Sequence, residues 1–149
     1  MTASEHHDFE QFYRDAKDRC LRAFLAVVPN SAAADDLVSE AFTRALERWQ
    51  DVRNHPSPAA WVVRTATNLH IDQWRRSNRR LRLLREEAIG SDERLDPQLV
   101  SALLRLSSRQ REVLALRVLL DVSNHDTAAV LGIEPATVPV HLRRALAAL

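Results

Sequence analysis

The chain has 149 residues, 46% of them hydrophobic, with 21 basic against 20 acidic side chains. That apolar content supports packed cores and excludes a disordered tail, and a single cysteine excludes both a disulfide framework and a multi-cysteine zinc site. No apolar run approaches the roughly 18–20 residues that span a bilayer, and the start MTASEHHDFE has no signal-peptide core, so a cytoplasmic protein with no membrane insertion is expected. Two glycines stand against 21 alanines and 21 leucines, and β-branched residues are sparse, which predicts an all-α fold.

In chain order, Phe9, Phe12, Tyr13, Ala16, Cys20, Phe24 and Val27 recur at helical steps and form the stripe of a first helix that Pro29 ends. Cys20 lies on this stripe and reads as a small buried hydrophobe. Asn30 or Ser31 caps a second helix, with Asp35 and Asp36 near its positive end. Leu37, Ala41, Ala45 and Trp49 make one row of that helix, and Val38, Phe42 and Leu46 the next. Asp36, Ser39, Glu40 and Arg44 fall towards the other side. The segment QDVRNHPSP is a loop, with Ser57 a cap and Pro58 in the first turn of a third helix. That helix is expected from about Ala59 to Arg85, with a break near Ser77–Asn78.

The near-neutral total hides a stripe. Residues 61–85 hold seven bases and one acid, whereas residues 1–60 hold seven bases and ten acids, and residues 86–149 seven and nine. Between Trp74 and Arg85 six of twelve residues are arginine. Such a stripe marks a polyanion site, because each neutralised phosphate releases counterions. Trp61, Asn68, Asp72, Arg75, Arg76 and Arg79 bring an aromatic ring, an amide and cations into one neighbourhood. Residues 86–97, EEAIGSDERLDP, have the composition of a flexible linker. Two small helical domains are therefore expected, 1–85 and 98–149.

In the second of these, Leu99 and Leu103 mark a short helix. Ser107 and Gln110 fit a capping box before REVLALRVLL, and Ser123 with Asp126 repeats the pattern before DTAAVL. Ala128, Gly132 and Val138 have the spacing of a helix-turn-helix: a small residue at the crossing, a glycine turn and an apolar lock. Leu131, Ile133 and Leu142 would fill the core between the helices. The second helix would offer Thr137, His141, Arg143 and Arg144 to a DNA major groove. Pro139 must then lie in its first turn, with the helix starting near Ala136 or Thr137 and Thr137 available as a cap. No His, Asp, Glu or Cys spacing suggests a metal or catalytic site, so no cofactor, metal or catalytic residue is expected.

Residues 9–149 together resemble the extracytoplasmic-function sigma factors of bacterial RNA polymerase. AADDLVSEAFTRALERW is similar to the family's polymerase-binding segment, PAAWVVRTATNLHIDQWRRSNRR to its −10-reading segment, and LSSRQREVLALRVLLDVSNHDTAAVLGIEPATVPVHLRRALAAL to its −35-reading domain. The resemblance implies that residues 1–85 form sigma region 2 and residues 98–149 sigma region 4. It implies that Asp36, Ser39 (where glutamine is usual) and Glu40 meet the β′ clamp helices of core polymerase, and that region 4 meets the β flap. It implies that Trp61 abuts the melted −10 DNA, and that Asn68, Asp72, Arg75, Arg76 and Arg79 face that DNA. The loop Arg53–Pro58, with Asn54 and His55, would capture a flipped base. An anti-sigma factor is the further partner expected. Pro139 replaces a usual Lys or Arg and Val140 a usual serine, so −35 reading is expected to be weak. Two other readings share these features: a stand-alone helix-turn-helix regulator, against which the segment 35–49 speaks, and a degenerate sigma-like protein that has lost −35 recognition.

Overall fold

The computed structural model describes residues 1–77 and 94–149, and every described regular element is helical. Helix α1 (Ala3–Val27) starts earlier than its apolar stripe, because Thr2 and Glu5 form a capping box. The Thr2 hydroxyl accepts the Glu5 amide at 3.2 Å, and Glu5 accepts the Thr2 amide at 2.9 Å. Helix α2 (Ser31–Glu47) is capped by Asn30, which accepts the Ala33 amide at 2.9 Å. Asp35 and Asp36 lie in its second turn, so they gain little from the helix dipole, which fades beyond the first. A short helix α3 (Trp49–Val52) carries Trp49 back onto the core. Helix α4 (Pro58–Arg76) has the expected Ser57 cap, with the Ala60 amide at 3.2 Å, and Pro58 at its first position. It ends at the expected break. Ser77 is extended, and its amide and hydroxyl both return to the Gln73 carbonyl. The continuation expected to Arg85 lies outside the described residues.

Helices α1, α2 and α4 pack against one another. Alanine makes this close: Ala16, Ala23, Ala34, Ala41, Ala45, Ala60 and Ala66 are all fully buried. Five aromatic rings, Phe9, Phe12, Tyr13, Phe42 and Trp49, cluster with centroids 5.0 to 6.4 Å apart, and anchor the start of α1 on α2 and α3. Cys20 is buried with its thiol 3.7 Å from the Ala59 carbonyl, and burial pushes that thiol up to about 12, so it packs as a hydrophobe.

In the second half, Asp96 caps helix α5 (Pro97–Arg105). The Ser107–Gln110 capping box opens helix α6 (Ser108–Leu114) with bonds of 3.1 and 3.0 Å. The run REVLALRVLL is not a plain α-helix. Ala115–Leu119 is one π-helical turn, closed by the Leu120 amide on the Ala115 carbonyl at 3.1 Å. Ser123 caps helix α7 (Asn124–Leu131) through the Asp126 amide at 3.0 Å. Gly132 then turns the chain at φ 67°, and the Gly132 and Ile133 amides both donate to the Ala128 carbonyl. A Cβ at Gly132 would meet nothing within 4 Å, so only the left-handed dihedral calls for glycine. Helix α8 (Thr137–Ala148) follows and packs on α6 and α7, with Ala128, Leu131 and Val138 buried between them and Ile133 and Leu142 at the margin.

Pro139 is the third residue of α8, as its chemistry requires, since the first four helical amides have no intrahelical partner. Thr137 is not the cap. Ala136 holds that position without a side-chain bond, and the Thr137 hydroxyl donates back to the Glu134 carbonyl at 2.7 Å.

The two helical halves share one continuous apolar cluster, with α1 against α6 and the π turn and α4 against α7. The expected linker falls mainly on residues 86–93, outside those described. No described helix is long and apolar enough to cross a membrane.

Candidate nucleic-acid and polymerase interface

The outer face of α2 presents Asp36, Ser39 and Glu40, all exposed, because the apolar rows turn the opposite face onto α1 and α4. Glu40 also reaches Arg44 one turn on, at 3.4 Å, with both side chains half exposed. Beside this face a cleft of about 530 Å³ opens between α2 and α4. Glu40 and Arg44 line one wall, and Trp61, Asn68 and Asp72 the other. Glu40, which the sequence assigns to polymerase, thus shares one groove with Trp61, Asn68 and Asp72, which it assigns to DNA, whereas Asp36 and Ser39 lie outside its lining.

An α-helix advances about 100° per residue, so Trp61, Asn68, Asp72 and Arg75 fall within about 60° of arc on α4, with Arg76 just beside them. Trp61 is half-buried, fixed by packing on one side and open on the other, whereas Asn68, Asp72, Arg75 and Arg76 are exposed. The ring, the amide and the cations therefore share the face expected of them. Arg79 lies outside the described residues, as does the rest of the arginine run to Arg85. Arg75 borders a second cleft, of about 370 Å³, where His70, Trp74, Ser108 and Arg111 also meet. Burial pulls the Arg111 guanidinium below its ordinary value, and Glu112 next to it opposes that shift.

The loop before α4 is preformed. Arg53 is tied to Asp8 at 2.7 Å. Asn54 donates to the Gln50 carbonyl at 2.9 Å, and the His55 Nδ1 accepts the Ser57 amide at 2.9 Å. That last bond places the neutral imidazole proton on Nε2. These bonds use the Asn54 amide nitrogen and the His55 Nδ1, and leave the Asn54 side-chain oxygen and the His55 Nε2 without a hydrogen bond among the described residues.

On α8 the expected surface is only partly assembled. Thr137, His141 and Arg144 share a face within about 60° of arc, but Arg143 points roughly 100° away from it. Arg143 and Arg144 are exposed and His141 is partly buried. Sequence reasoning missed Arg44 and Arg48 as cations of the α2–α4 cleft. The signal that could have found them is the four-residue step Glu40, Arg44, Arg48, which lines the three up along one side of α2 and its C-cap. No group of three or more His, Cys, Asp or Glu among the described residues could hold a metal.

A family model of sigma-70 region 2 matches residues 9–80, and one of sigma-70 region 4 matches residues 97–149. The RNA polymerase sigma-E factor of Streptomyces avermitilis is 31% identical, over all of this chain and 87% of that relative. The chain belongs to the sigma-70 family, as an extracytoplasmic-function sigma factor. The ECF sigma factor BldN of Streptomyces coelicolor is 32% identical over 87% of this chain and 54% of its own length. The solved sigma factor RpoE of Bartonella quintana, determined with the anti-sigma factor NepR, shares the fold at a TM-score of 0.74 and 23% identity, covering 95% of this chain and 93% of that one. Sigma factors initiate transcription and are not enzymes as a family.

Proposed function

We propose that this sigma factor docks on the β′ clamp helices of core RNA polymerase through Asp36, Ser39 and Glu40, and reads the melted −10 element with α4. The observation that carries the reading is the α2–α4 cleft, where Glu40 faces Trp61, Asn68 and Asp72 across one groove. A strand leaving the duplex beside docked polymerase would enter that groove. Trp61 abuts the last stacked pair, and stacking on an aromatic ring is worth about 1–3 kcal/mol per base, enough to offset much of the cost of unstacking. Asn68 offers donor and acceptor to a base edge. Arg75, Arg76 and Arg79 neutralise phosphates, and Asp72 disfavours a phosphate at its own position. The flipped base lodges against the loop at Asn54 and His55.

Residues 98–149 act as region 4, with the β flap as partner and Thr137, His141 and Arg144 towards the −35 duplex. Arg143 serves as a flank cation. Residues 1–85 act as region 2, and 86–97 join them. The −35 contribution is weak, because Pro139 and Val140 remove a cation and a hydroxyl and the Thr137 hydroxyl is spent on Glu134. The protein performs no reaction of its own and works in the cytoplasm with polymerase. An anti-sigma factor is its further partner, as NepR is for the Bartonella relative.

Run-off transcription with core polymerase on a promoter library tests this reading. Transcripts that depend on the added chain and share a −10 sequence are expected. Their absence, with polymerase active under another sigma factor, would overturn it.

A further inference from the structure

Arg64 leaves α4 three residues after Trp61 and reaches across to the second half, where its Nη1 lies 3.1 Å from Glu112 Oε1. The Glu112 side chain is only 8% exposed, and its other oxygen takes Arg109 Nη1 at 3.0 Å. Arg109 in turn donates to the Leu131 carbonyl at 3.3 Å, tying the start of α6 to the end of α7. One buried carboxylate is therefore shared by two guanidiniums, one from each half of the molecule. Such a carboxylate is costly to leave without its cations, so the pair favours the arrangement that keeps both. The same arrangement packs α4 against α7 and merges the two cores.

This closeness conflicts with the promoter-binding role proposed above, on which the inference rests. A compact chain of 149 residues has a radius of gyration of about 15 Å, and hence a diameter of about 40 Å. Promoter elements centred near −10 and −35 lie about 25 base pairs apart, or about 85 Å of duplex at about 3.4 Å per pair. Helices in contact with each other cannot sit on both. In this form Arg75, a cation assigned to the −10 strand, also borders the cleft with Ser108 and Arg111. We infer that the Arg64–Glu112–Arg109 triad is an intramolecular latch, which holds the free protein closed and must part before both promoter elements are engaged.

The latch is tested on the full chain alone by small-angle X-ray scattering, with no polymerase or DNA. Wild type is expected at a radius of gyration near about 15 Å. Arg64→Glu puts a carboxylate against Glu112 and should shift the closed-to-open ratio at least tenfold, expanding the radius by a fifth or more with unchanged far-UV circular dichroism. Arg64→Gln, which removes the cation without adding repulsion, should expand it less, and Arg64→Lys, which keeps a cation facing Glu112, should stay compact. An unchanged radius in both single variants, or a wild type already extended, overturns the latch. A failure of the sigma reading would show in transcription and leave the scattering result standing.

Discussion

Reversing the charge at Asp36 and Glu40 separates a docking surface from a merely solvated helix face. Both side chains are exposed on α2 and neither belongs to the core. The reversal breaks the ion pair of Glu40 with Arg44 at 3.4 Å, which is half exposed on both sides and worth no more than about 0.5 kcal/mol. A lysine at 40 would instead repel Arg44 by a similar amount, so α2 should be weakened by about 1 kcal/mol at most. A hydrogen bond to a charged partner group is worth about 1.5–3 kcal/mol, so removing two of them costs about 3–6 kcal/mol, before any repulsion. Asp36→Lys with Glu40→Lys should thus raise the dissociation constant for core polymerase by about 10²–10⁴-fold. Fluorescence anisotropy of the labelled protein against core enzyme measures this, with a thermal melt as the folding control. A dissociation constant within threefold of wild type, in a folded variant, would refute the assignment of this face.

Arg75→Ala should weaken binding to single-stranded −10 DNA for every sequence and lower the salt slope by about one unit, whereas Asn68→Ala should change base preference and leave that slope intact. Filter binding across a salt series distinguishes the two. Pro139→Lys should leave helix content unchanged, because Pro139 already sits where amides lack partners. It should tighten −35 duplex binding at low salt through the added cation, and an unchanged affinity would show that the weakness lies elsewhere. Thr127 is fully buried and its hydroxyl has no partner among the described residues, so Thr127→Val should stabilise the fold by about 1–2 kcal/mol and raise the melting temperature by about 2–4 °C per kcal/mol. A lower melting temperature would mean that the hydroxyl is satisfied in solution.

The features legible in the sequence are local ones. Asn30, Ser57, Ser107 and Ser123 cap their helices as expected, because a cap and its amide lie two or three residues apart. Pro139 falls in the first turn, because the ring permits little else inside a helix. The shared face of Trp61, Asn68, Asp72 and Arg75 follows from helical period alone. The misses are non-local or cooperative. Nothing in REVLALRVLL announces the π turn, where Leu114, Ala115 and Leu116 are buried in succession. Thr137 has the chemistry of a cap, yet the turn from Glu134 starts the helix one residue sooner, so Thr137 is its first residue and its hydroxyl donates to the Glu134 carbonyl. His55 has two ring nitrogens to offer in the sequence, but the Ser57 amide claims Nδ1 in the fold. Arg64 and Glu112 are 48 residues apart, so their pairing has no sequence signature, and each taken alone resembles an ordinary surface charge.

As a sigma factor, this chain directs core polymerase to a promoter and assists DNA opening at the −10 element. Permanganate footprinting of unpaired thymines on such a promoter, with core polymerase and with or without the chain, tests it most directly. Reactive thymines are predicted at −10 only when both are present, with their reactivity abolished by Trp61→Ala. Thymine reactivity independent of the chain, or unaffected by Trp61→Ala in a folded variant, would contradict it.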